Sequence, residues 1–73
     1  MKKNIIGYRE LSEQEISAIN DIKELAIVVQ DMIASIKNKP DIEIDPRWLS
    51  IGTTNLQQGF MALIRSVAKP TTF

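Results

Sequence analysis

The chain has 73 residues, with nine basic and nine acidic side chains, no histidine and no cysteine. That length holds one small domain whose surface outweighs its interior. The missing residue types exclude disulfides, thiolate metal sites, the commonest metal ligand and the usual general base near neutral pH. Small scaffolds usually gain stability from a disulfide, a metal or a partner subunit, and here the partner subunit is the one left. Balanced charge does not suit a bulk polyanion, because polymeric nucleic acid calls for a strongly basic face. A small anion held in a local pocket remains compatible with it. No apolar run is long enough to span a bilayer, so no membrane partner is expected. Met1-Lys2-Lys3 and the following Asn4-Ile5-Ile6-Gly7 lack the long apolar stretch of a signal peptide, which points to the cytoplasm.

Residues 1–11 carry no period; Gly7 interrupts any helix there and Tyr8 stands as a lone aromatic. At Ser12-Glu13-Gln14-Glu15 a capping box starts a helix, a feature worth roughly 1 kcal/mol. Ile16, Ile19, Ile22, Leu25/Ala26, Val29, Met32/Ile33 and Ile36 then recur in steps of three and four, one helical stripe. Ile27 and Val28 widen that stripe, so the middle turn is expected to touch two neighbours. The predicted helix covers 12–38. Lys39-Pro40 stops it, since proline disfavours a helical residue before it. Asp41-Ile42-Glu43-Ile44 alternates like a strand but has no partner strand and reads as an extended loop, about 39–45.

Asp45-Pro46 opens a second predicted helix over 46–69, with Asp45 as N-cap and Pro46 at the first helical position. Its inward stripe is Leu49, Thr53, Leu56, Phe60, Leu63/Ile64 and Val67; Trp48, Ile51, Asn55 and Ala62 lie partly away from it. Gly52 and Gly59, seven apart, share one face and each cost roughly 1 kcal/mol against alanine. Such a helix is expected to have another backbone packed close by. Lys69 stands in the last turn and Pro70 ends it, leaving Thr71-Thr72-Phe73 as a tail. The fold class is therefore all-α, residues 1–73 forming one antiparallel helical-hairpin domain with a short N-terminal segment. A hairpin buries one stripe per helix and leaves Trp48, Ile51, the two-glycine face and Phe73 uncovered, which predicts assembly into a compact homo-oligomer.

No Gly-rich phosphate loop, paired-cysteine spacing or nucleophile elbow is present. Asp21, Glu24 and Asp31 read as a solvated face, so an enzyme is not the leading class and no cofactor is implied. A phosphodiesterase would need a metal-ligand cluster or a base. Three features could hold a ligand. Tyr8, next to Gly7, is either an N-terminal packing residue or a stacking platform for a base. Lys23 is either an ordinary surface lysine or an ammonium for a phosphate. Arg65 and Lys69, four apart, are either solvated charges or an anion site beside the Thr71 and Thr72 hydroxyls.

The stretch Asp45-Pro46-Arg47-Trp48-Leu49-Ser50-Ile51-Gly52, running through Leu56-Gln57-Gln58-Gly59-Phe60-Met61-Ala62-Leu63 to Arg65-Ser66-Val67-Ala68-Lys69-Pro70, resembles a signature of phage anti-CBASS proteins. Gly7-Tyr8-Arg9-Glu10-Leu11-Ser12 and Ile19-Asn20-Asp21-Ile22-Lys23 are similar to that family's opening. The resemblance spans nearly the whole chain except residues 1–5 and the loop around 37–44. It implies a helical homo-oligomer, typically a hexamer, that works as a sponge in immune evasion. Such a protein sequesters cyclic dinucleotides such as cyclic GMP-AMP, and cyclic trinucleotides at separate pockets, without cleaving them. By the resemblance Tyr8 stacks on a base and Lys23 reaches a phosphate. Arg65, with the Thr71–Phe73 tail of a neighbouring subunit, is the candidate for a trinucleotide pocket. The candidate ligand-binding set is thus Gly7, Tyr8, Lys23, Arg65, Lys69, Thr71, Thr72 and Phe73. The other reading of the residues is a helical adaptor that binds another protein through its apolar second face.

Overall fold

The computed structural model describes residues 10–71. Two helices, α1 (Glu13–Lys37) and α2 (Pro46–Ala68), pack against each other as a hairpin. The capping box at the start of α1 forms in both directions. The Ser12 N–H donates to Glu15 Oε1 at 2.9 Å, and the Glu15 N–H donates to Ser12 Oγ at 3.1 Å. Two of the otherwise orphaned amides of the first turn are satisfied in this way. At the other end Asn38 is the C-cap, its N–H donating to the Ser35 carbonyl at 3.2 Å. Ser12 and Asn38, included in the predicted span, therefore flank the helix as its caps.

The loop of residues 38–45 makes turns and a bend with no strand, so the alternation of Asp41 to Ile44 carries no pairing. Asp45 then caps α2, its Oδ1 accepting from the N–H groups of Arg47 at 2.9 Å and Trp48 at 3.3 Å. The far end of α2 comes one residue before the predicted end. Lys69 sits outside the helix at φ 45° and ψ 60°, its N–H donating to the Arg65 carbonyl at 2.8 Å. Pro70 is the cause: its ring disfavours the right-handed helical region for the residue before it.

Packing between the helices is shallow. Ile22, Ala26, Val29, Ile33 and Ile36 of α1 are half-buried, facing Leu49, Thr53, Phe60, Ile64 and Val67 of α2. Among the described residues only Ile19 and Ala68 are buried, both toward the end remote from the loop. Leu56 and Leu63, assigned to the inward stripe by their period, are 40% and 52% exposed. A two-helix layer covers only the centre of each stripe, and residues displaced to its sides keep contact with solvent. The same limit leaves Trp48 65% exposed, whereas Ile51 is half-buried.

Ile27 and Val28, expected to touch two neighbours, are both exposed. A Cβ built on Gly52 or Gly59 would meet nothing within 4 Å. The close backbone that the paired glycines implied is therefore not supplied by the described residues of this chain. Phe73 lies outside the described residues.

Candidate functional site

A groove of about 750 Å³ runs along the loop-proximal half of the hairpin. Ala26, Val29 and Ile33 of α1 and Thr53, Leu56 and Phe60 of α2 form its apolar floor and walls. Gln30, Ala34 and Lys37 border it on α1, and Gln57 and Met61 on α2. The helical period explains this border: Gln30 and Lys37 are two turns apart, so they repeat along one edge of α1 about 10.5 Å apart. The Thr53 hydroxyl donates to the Leu49 carbonyl at 2.8 Å, which ties it to its own helix. The groove thus offers apolar surface, two amides that both donate and accept, and one ammonium. That chemistry suits a flat, partly apolar group with hydrogen-bonding edges and a nearby negative charge.

Lys23 is exposed on α1, seven residues before Gln30. By the helical period it shares an edge of α1 with Gln30 and Lys37, about 10.5 Å and about 21 Å away along the axis, but it stands beyond the residues that line the groove. Three polar side chains with two cations among them therefore line one edge of α1. Sequence reading singled out Lys23 from this row. Gln30 and Lys37 were missed, although their seven-residue spacing from Lys23 was the available signal. Gln57 had no such signal, because its nearness to Gln30 depends on how the two helices are rotated against each other.

Arg65 is exposed on α2 and points about 130° away from the inward stripe, so it does not join the groove. Nor does Lys69 extend its helical face, since Lys69 has left the helix. Thr71 is exposed in the bend after Pro70. Gly7, Tyr8, Thr72 and Phe73 lie outside the described residues. The described candidates thus divide between two places: Lys23 on α1 beyond the groove, and Arg65, Lys69 and Thr71 around the end of α2. Among the described residues no group of histidine, cysteine or carboxylate side chains could hold a metal ion.

A family model of the Acb2/Tad1 hairpin domain matches residues 2–68. The chain belongs to that family. The match runs through both helices and ends at Ala68, the last residue of α2. Gly7, Tyr8, Lys23 and Arg65 fall inside the matched span, whereas Lys69, Thr71, Thr72 and Phe73 fall beyond it. The chain is also similar to Anti-CBASS protein 2 of Pseudomonas phage JBD67. The two are 25% identical over 100 residues, covering 93% of this chain and 93% of the relative. That alignment is longer than the 73 residues of this chain, so part of the relative faces no residue here.

Proposed function

We propose that this protein binds cyclic oligonucleotide second messengers and sequesters them without cleavage, blocking bacterial CBASS signalling in the cytoplasm of an infected cell. The observation that carries the reading is the family match over residues 2–68, joined to a relative whose name is that of an anti-CBASS protein. The ligands are cyclic dinucleotides, with cyclic trinucleotides as a second class at a separate pocket. Residues 1–73 act as one hairpin domain, and the working form is a homo-oligomer, a hexamer in the family pattern.

The physical chemistry supports this. A cyclic dinucleotide has two bases, two phosphates and often approximate two-fold symmetry, so a pocket between symmetric subunits can present each recognising side chain twice. Tyr8 stacks on a base and Lys23 meets a phosphate. Arg65 serves the second ligand class, with Lys69 as a further cation at the same end of the chain and the tail of residues 71–73 of a neighbouring subunit closing the site. A chain with zero net charge can bind such ligands, because only the charge at the pocket matters. Sequestration calls for affinity and not turnover, so it asks for no nucleophile, metal or general base.

Calorimetry against a panel of cyclic dinucleotides and cyclic triadenylate tests the proposal. Binding to at least one member is expected, with Tyr8→Ala and Lys23→Ala each weakening dinucleotide binding about tenfold or more, the worth of one charge-assisted or stacking contact. Both variants should keep the wild-type mass by light scattering. Failure to bind any member of the panel refutes the proposal. A monomeric, non-binding protein would favour the helical adaptor.

A further inference from the structure

The same dipeptide follows both helices. Lys39-Pro40 comes just after Asn38, the C-cap of α1, and Lys69-Pro70 directly follows Ala68, the last residue of α2. In each case the proline disfavours right-handed helix for the lysine before it, and the ordinary alternative is extended backbone. Lys39 keeps a negative φ, whereas Lys69 stands at φ 45° and ψ 60°, the one non-glycine residue of positive φ among the described residues. A side chain beyond glycine is strained there, because its Cβ crowds the carbonyl oxygen that follows. A proline by itself therefore does not account for the left-handed turn.

The surroundings of the two dipeptides differ. Lys39 and Pro40 are both exposed. At the end of α2 Ala68 is buried, Pro70 is half-buried, and Lys69 between them is exposed. The two apolar residues are screened by the protein while the lysine stands out, and the Lys69 N–H closes the last helical bond to the Arg65 carbonyl at 2.8 Å. Strained backbone persists where its surroundings over-determine it, and such places cluster at ligand clamps. The turn has a consequence for the cations. In a continued helix Lys69 would stand one turn above Arg65 on the same face, like charges side by side, with Thr71 in line about 9 Å beyond Arg65 along the axis. One left-handed residue instead ends the axial rise and turns the chain off the helix axis.

We propose that Pro70 is a positioning residue for the ligand site at the end of α2. Its ring denies right-handed helix to Lys69, and its half-buried seat fixes the turn, so together they hold Lys69 left-handed and set the direction in which residues 71–73 leave. The ligand concerned is the cyclic trinucleotide of the proposed function, and the inference rests on that reading. A cyclic trinucleotide spreads three phosphate charges around a ring, so cations on one helix face would meet only one side of it. Arg65 on the helix and Lys69 on the turn approach it from two elements. A tail turned off the axis can close over a site on a neighbour, whereas a tail in line with α2 would project past it. Lysine supplies none of this by itself, because left-handed backbone comes readily to glycine and not to a residue with a Cβ.

The test is Pro70→Ala in the full chain, with cyclic triadenylate as the probe. Alanine frees Lys69 to join the helix, so the Lys69 Cα chemical shift should move into the helical range. Triadenylate affinity by calorimetry should fall about tenfold or more, the worth of one charge-assisted contact. Cyclic dinucleotide affinity, helical circular dichroism and the mass by light scattering should be kept. Lys69→Gly supplies left-handed backbone without help from a proline. It removes a cation and should weaken triadenylate binding itself, but adding Pro70→Ala to it should cost nothing further. A proline that acts only through general stability would cost the same in both backgrounds. Unchanged triadenylate binding or an unmoved Lys69 shift in Pro70→Ala, or equal losses in the two backgrounds, overturns the inference and leaves the proposed ligand class standing. A wild-type chain that binds cyclic dinucleotides but no triadenylate overturns the second ligand class and this inference together.

Discussion

Replacing Asp45 separates two contributions to the start of α2. Its Oδ1 accepts from two amides, one at 2.9 Å and one at 3.3 Å, and its charge lies at the positive end of the helix dipole. The longer bond is the weaker, and the site is exposed, so water replaces part of what is lost. Asp45→Ala should therefore cost about 1 kcal/mol, in the middle of the range for N-cap residues. For a domain of this size that lowers Tm by about 4–8 °C. Asp45→Asn keeps an acceptor and removes only the charge, so it should cost no more than about 0.5 kcal/mol. The assay is thermal unfolding followed by circular dichroism at several protein concentrations, because self-association adds its own stability. Equal losses in the two variants would show that charge and not acceptance starts the helix. No loss in Asp45→Ala would refute the capping argument altogether.

Other substitutions probe the remaining elements. Ser12→Ala and Glu15→Ala should each destabilise by about 0.5–1 kcal/mol, and the double variant by less than their sum, because each bond is one half of a reciprocal pair; additive losses in chemical denaturation would contradict this. Ile19→Ala should cost about 2–4 kcal/mol, since Ile19 is the large apolar side chain that the hairpin buries, whereas Ile27→Ala on an exposed position should cost under about 0.5 kcal/mol. Equal costs in denaturant titration would refute the assignment of the inward stripe.

The helices and their starts were legible because their causes are local. Ser12 with Glu15, and Asp45 with Pro46, carry the whole of their capping chemistry within four residues. Lys69 shows how a local rule can be applied incompletely: the pre-proline restriction that stops α1 near Pro40 also removes Lys69 from α2. What sequence could not supply is the rotation of one helix against the other. Periodicity placed Leu56 and Leu63 with Phe60, but it could not say that a two-helix layer is too narrow to cover them. Nor could it bring Gln57 of α2 to the same groove as Gln30 and Lys37 of α1. The two glycines were legible as a smooth face, whereas the open space beside them follows only from the closed hairpin.

Capture without turnover is decided by the fate of the bound nucleotide. Incubate the protein with an excess of cyclic dinucleotide, remove the unbound ligand, denature by heat and analyse what is released by chromatography and mass spectrometry. A stoichiometric amount of intact cyclic nucleotide is expected; linear product would point to an enzyme instead, and an empty protein fraction would rule out capture.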